Sequence, residues 1–313
     1  MSFSSVAVPH QSMGAMVPEF ATSRTRFVEH MGFLEVLSFF GEGVGAGLYI
    51  LGVLTNQPLA MLLGVVFVAI AVVALVAHLG SRAHLAWRAI TKFRTSWVSR
   101  GSLFISLFMA FSVSALLASQ IAMFAWLEKP LTILAFIFAP LVIIYAGMML
   151  RSMKAVTLWR SYYLPVGFSA HSAASALIVF WCYGQFAGLN QDIMSWLQPA
   201  TVFCLLLSAA IAVLHLVRIP RSAGIEASLE RLLRGKLRAR LIWGAGGLGI
   251  LVPLALAFLG WLAVAQLGQS LVTILLAVAA LCRLFGDYAY RSAFVMAGAY
   301  EPIIPPPSRN LGK

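Results

Sequence analysis

Of the 313 residues, 61% are hydrophobic and 10% charged, and the mean hydropathy is +0.92. Soluble domains carry about a quarter charged residues, so a water-soluble globule is excluded. Twenty-two Lys and Arg stand against ten Asp and Glu, an excess that in so apolar a chain reports membrane orientation rather than nucleic-acid binding.

Residues 1–35 hold no continuous apolar stretch, so no cleavable leader is expected and the first span is retained. A bilayer core about 30 Å thick takes about 20 apolar residues per helix. On that scale the apolar runs predict spans at about 36–55, 59–79, 102–127, 131–151, 162–187, 197–217, 241–267 and 269–290. The fold class is therefore an all-α polytopic membrane protein with eight transmembrane helices. Glycines crowd the first span (Gly41, Gly43, Gly45, Gly47, Gly52) and the seventh (Gly244, Gly246, Gly247, Gly249), a spacing suited to close helix packing. Trp97, Trp126, Trp159, Tyr162, Tyr163, Trp196 and Trp243 fall near span ends, where aromatic belts form.

The connections differ in charge. Those after odd-numbered spans are short and nearly uncharged, whereas those after even-numbered spans and both termini are basic. Counting Arg283 and Arg291 with the C-terminal end, 21 of the 22 Lys and Arg fall on one side, leaving Lys129 on the other. The positive-inside rule then predicts both termini in the cytoplasm.

Ionisable groups inside spans are costly and usually paired or functional. Glu42 lies about two turns into the first span and Glu35 seven residues earlier, so the two share a helix face about 10 Å apart. Such a pair suits proton exchange with a buried redox cofactor, although a protonated Glu42 hydrogen-bonded between packed helices fits the residues equally. His78 ends the second span, His171 opens the fifth and His215 ends the sixth, where interfacial solvation is the plain reading. Arg283, Asp287 and Arg291 follow i, i+4, i+8 spacing, which lets Asp287 bridge two arginines in a structural ladder. Cys182, Cys204 and Cys282 stand singly in apolar runs, so no iron–sulfur cluster or metal site is expected in this chain.

One region carries a recognisable pattern. His78-Leu79-Gly80-Ser81, Ala86-Trp87-Arg88-Ala89 and Thr95-Ser96-Trp97-Val98-Ser99-Arg100 resemble the H-L-G-[RS]-P…W-R-A…S-W-x-S-R signature of the NrfD/PsrC/DmsC family. These are the quinone-reactive membrane-anchor subunits of molybdopterin oxidoreductases, among them dimethyl sulfoxide reductase, polysulfide reductase and membrane-bound sulfite dehydrogenase. Gly43 to Tyr49 resembles the family's first-helix motif. Tyr145-Ala146-Gly147-Met148-Met149-Leu150, continuing to Leu158-Trp159 and Leu164-Pro165, resembles its Y-x-G-x-x-L…L-P block. Three positions depart from the pattern: Arg82 replaces a proline, Trp87 comes one residue late, and Gly101 stands where many members have glutamate.

The resemblance implies two four-helix bundles, at 36–160 and 161–297, between a cytoplasmic segment at 1–35 and a proline-rich cytoplasmic tail at 298–313. It implies a quinone, ubiquinone or menaquinone, in the first bundle, contacted by Tyr145, with His78, Glu35 and Ser38 beside it and Glu42 as a further proton-handling group. It also implies partners, a ferredoxin-like iron–sulfur subunit and a molybdopterin catalytic subunit, both cytoplasmic here by the charge count, in a bacterial inner membrane with lipid around the chain. The chain itself then has no molybdenum active site. Sulfite dehydrogenase or dimethyl sulfoxide reductase is the implied type of respiratory electron-transport complex. The residues leave two alternatives: a b-type cytochrome, for which His78 and His171 form the sole pair and haem b is not expected, and an ion or proton transporter.

Overall fold

Backbone polar groups in hydrocarbon must be satisfied within the chain, and every apolar run meets this requirement as helix. The computed structural model describes residues 32–79, 94 and 96–300, with backbone alone for 78, 79 and 260–269. It comprises α1 (Phe33–Leu54), α2 (Pro58–Leu79), α3 (Trp97–Ala118), α4 (Ala125–Ser152), α5 (Tyr163–Ala187), α6 (Gln191–Arg218), α7 (Ala223–Leu233), a π-helical segment (Arg240–Leu251) and α8 (Val252–Met296). Eight stretches among the described residues are long and apolar enough to cross a membrane, the last two being Arg240–Leu259 and Ser270–Met296. The chain reverses between these two. Gly249 and Gly286 touch backbone to backbone, and Arg283 Nη1 donates to the Gly249 carbonyl at 2.8 Å.

α1 packs with α2 and α4, and α3 with α4; α5 packs with α6, and α8 with the π-helical segment and α5. α1 also runs along α5 and α8, and α4 along α5.

Four glycines explain why α1 can have so many neighbours. A Cβ on Gly45 would lie 2.5 Å from the Gly64 carbonyl oxygen of α2, and one on Gly41 3.0 Å from Ala71 Cβ. On the opposite face a Cβ on Gly47 would lie 2.6 Å from Ala176 Cβ of α5, and one on Gly43 would strike Ser172. Two interleaved small-xxx-small pairs therefore admit a helix on each side. In the π-helical segment the glycine expectation holds by half. Gly244 and Gly249 face Ala289 and Gly286, whereas Gly246 and Gly247 meet atoms only of their own segment.

Several boundaries differ from the sequence reading. Ser96 caps α3 by accepting from the Ser99 N–H at 3.5 Å, so the helix starts earlier and ends at Ala118. A 3₁₀ turn at Ala122–Phe124 then opens α4 at Ala125. Glu128, Lys129 and Pro130, expected between spans, consequently lie within the start of α4. So near the helix end, Pro130 removes a single backbone hydrogen bond. The basic connection after α6 contains α7, capped by Ser222, which buries Ile225, Leu229 and Leu232 on one face. Trp159, expected in the interfacial belt, is fully buried and donates its indole N–H to the Phe294 carbonyl at 3.0 Å. His215, expected in solvent, is buried against Phe294 with ring centroids 5.0 Å apart.

The glycine contacts make a direct prediction. Gly45→Ala should destabilise the protein by about 1–3 kcal/mol, as overpacking does. Gly246→Ala, whose Cβ would lie 3.6 Å from the Leu241 carbonyl oxygen, should be neutral or slightly stabilising. Thermal midpoints in detergent that fall equally for both would refute the packing account.

Candidate functional site

Because α1 is enclosed by α2, α4, α5 and α8 at its middle, polar side chains there are cut off from both lipid and water. Glu42 is fully buried, and neither of its carboxyl oxygens has a hydrogen-bond partner among the described residues. Two turns earlier Glu35 is half-buried. Ser38 is fully buried, and its hydroxyl donates to the Glu35 backbone carbonyl at 2.8 Å. On α4, Tyr145 is 3% exposed and meets Phe39 of α1 edge to face, ring centroids 6.4 Å apart. Both Glu42 and Glu35 lie within electrostatic reach of the phenol. Four of the five expected site residues are thus gathered at the α1–α4 contact; the side chain of the fifth, His78, lies outside the described residues.

The motif residues around Tyr145 are explained by contact. Its ring covers Gly101, where any side chain would collide with it. A side chain at that position would require the Tyr145 ring to move. Gly147, two residues on, lets Pro165 of α5 pack directly against α4. The Y-x-G and L-P elements are the two sides of one helix crossing. Of the stretch 80–93, which carries Trp87 and Arg82, nothing lies within the described residues.

Next to this group lies a second, which sequence spacing caught only in part. Arg283, Asp287, Arg291 and His171 are all fully buried, so the two arginines do not belong to the basic end where the charge count placed them. Helix spacing carries them inside the span Ser270–Met296 and turns them toward α5. Asp287 Oδ1 accepts from Arg291 Nε at 2.8 Å. Its contact with Arg283 is indirect: Ser175 donates to Asp287 Oδ2 at 2.8 Å and accepts from Arg283 Nε at 3.1 Å. Arg291 also donates to the Phe39 carbonyl at 3.1 Å, the Phe168 carbonyl at 3.2 Å and Ser172 Oγ at 2.7 Å, joining α1, α5 and α8. Arg283 Nη2 donates to His171 Nδ1 at 3.1 Å, and the His171 ring lies flat on Tyr290 at 3.7 Å. The signal available in the sequence was Ser172 and Ser175 beside His171, small polar groups one turn apart on a buried helix.

The charges of the two groups interlock. Two guanidinium groups face one Asp287 carboxylate, and the neighbouring acid is Glu42, which Arg291 attracts through space. Arg291 Nη2 lies 3.2 Å from the Cβ position of Gly43, one residue along. An ionised Glu42 makes the ensemble neutral and a protonated one leaves it with a single positive charge. Removing one partner of a buried ion pair costs about 3–5 kcal/mol, so Asp287→Asn should sharply lower the yield and thermal midpoint of the protein. Ser175→Ala should cost less, about 1–3 kcal/mol. Wild-type stability in Asp287→Asn would show that the arginines do not depend on it.

Among curated proteins the chain has no match. The family model for polysulphide reductase, NrfD, matches residues 33–300, from the first residue of α1 to the end of the described chain. With nearly all of its helical part matched, the chain belongs to the polysulphide reductase NrfD family.

Proposed function

We propose that this multi-pass membrane protein is the quinone-reactive anchor subunit of a molybdopterin/iron–sulfur oxidoreductase, exchanging electrons between membrane quinone and an iron–sulfur subunit docked at its basic face. Family membership supports the anchor role. The observation that carries the quinone reading is the juxtaposition of the Tyr145 phenol with the buried Glu42 carboxyl, which has no hydrogen-bond partner among the described residues. A bound quinone takes up or gives back two electrons and two protons. Tyr145 donates a hydrogen bond to one carbonyl. Glu42 gains or loses a proton beside Arg291, and Glu35, nearer the basic face, exchanges it with solvent. Ser38 offers only its lone pairs, since its hydrogen is committed to the Glu35 carbonyl, and His78 is assigned the second proton-handling position.

The positive-inside rule supports placing the basic face in the cytoplasm of a bacterial inner membrane. We assign the catalytic partners to the same side, and sulfite oxidation with quinone reduction as their reaction, dimethyl sulfoxide reduction being the alternative. The docking surface comprises the 218–240 connection and the tail. Three contacts hold the start of that tail against the basic face: Arg231 Nη1 donates to the Gly298 carbonyl at 3.1 Å, the Ala299 N–H to Ser228 Oγ at 3.0 Å, and Tyr300 pairs with Val156 in an antiparallel bridge. Residues 301–313 lie outside the described residues; their composition, with Pro302 and Pro305–Pro307, favours extended polyproline structure.

Tyr145→Phe should slow quinone turnover at least several-fold, matching a lost hydrogen bond of about 1–3 kcal/mol; unchanged quinone kinetics in an intact complex would remove Tyr145 from the site. Deletion of 301–313 should release the iron–sulfur subunit while the helices stay in the membrane. Full retention of partners by the truncated chain would refute the tail's docking role.

A further inference from the structure

A cavity of about 540 Å³ lies between the start of α1, the π-helical segment and the end of α8, apart from the Tyr145–Glu42 group. Its volume is within the range of ligand clefts, about 300–1,000 Å³. Phe33, Val36, Leu248 and Phe285 give it an apolar lining, and Trp243 and Phe285, 73% and 59% exposed, leave one wall open to the bilayer. Its charged lining residue is Arg240. Nη1 of Arg240 is held by Ser292 Oγ and Met296 Sδ, each at 2.9 Å. Its Nε and Nη2 have no hydrogen-bond partner among the described residues. Arg234, Lys236 and Arg238 precede it, all exposed, and no Asp or Glu occurs between Glu230 and Asp287. The result is an apolar groove open to lipid, with a guanidinium held at the membrane surface, cations preceding it in the chain and no carboxylate among the described residues that line it.

We propose that this groove binds one anionic phospholipid, its phosphate on Arg240 and an acyl chain along Phe33, Leu248 and Phe285. A guanidinium with donors not taken up by the described residues pairs with a phosphate, and the cations around it favour a headgroup of net negative charge over a zwitterionic one, as in other basic pockets between spans. A quinone head is neutral and has no use for the surrounding cations. The site is independent of the quinone chemistry at Tyr145.

The test is native mass spectrometry of the purified full-length chain, in its complex, titrated with phosphatidylglycerol or phosphatidylcholine. One phosphatidylglycerol should be held per chain, with about fivefold preference over phosphatidylcholine, the equivalent of about 1 kcal/mol for one cation. Arg240→Gln should abolish the preference. Leu248→Trp, which fills the groove and leaves the charge in place, should abolish tight binding of both lipids. A wild-type protein without preference, phosphatidylglycerol binding unaltered in either variant, or a co-purified quinone that is lost in Leu248→Trp would each overturn the assignment.

Discussion

One helix must fit between two others at backbone distance, and that constraint governs the molecule. Gly41 and Gly45 bring α2 against one face of α1; Gly43 and Gly47 bring α5 against the other. Close packing of small residues is the main attraction available between helices in lipid, where apolar side chains gain nothing by leaving one apolar medium for another. With both faces of α1 closed in this way, Glu42 stands between the two glycine pairs and is surrounded by protein. A carboxyl group is costly at such a depth. Its retention there, with no hydrogen-bond partner among the described residues, is the strongest sign that the position serves chemistry.

The neighbouring ion group has the opposite character. Asp287, Ser172, Ser175 and backbone carbonyls satisfy Arg291 and Arg283 almost completely, and Arg291 alone ties three helices together. That group is a rigid positive wall. Glu42 is the variable element facing it, and a proton arriving at or leaving Glu42 changes the net charge of the whole buried ensemble by one. Buried Coulomb interactions of this kind are weakly screened, so under the proposed function proton exchange at Glu42 and electron exchange at a quinone beside Tyr145 would depend on one another.

The eight spans and the carboxyl pair on α1 were legible from sequence because hydropathy and helical period act locally. The Tyr145 position came from resemblance, and its ring fills the space beside Gly101. What escaped the sequence is non-local. Arg283 and Arg291 were counted with the basic C-terminal end, although their spacing with Asp287 marked a ladder, because composition cannot show which side of a helix meets another helix. Trp159 and His215 looked interfacial because their partner, Phe294, is remote in the chain. The α3–α4 connection was misplaced because the Ser96 cap sets where the span begins, and a cap outweighs the hydropathy edge. The amphipathic α7 was hidden in a stretch whose charge dominated its short apolar period.

The most direct test of the account is photo-cross-linking of an azido-quinone to the complex in native membranes, followed by mapping of the labelled peptides. Labelling of α1 between Glu35 and Tyr49 and of α4 around Tyr145, competed away by unmodified quinone, is the expected result. Competed labelling confined to α5 and α6, or to the groove at Arg240, would contradict the placement of the quinone between α1 and α4.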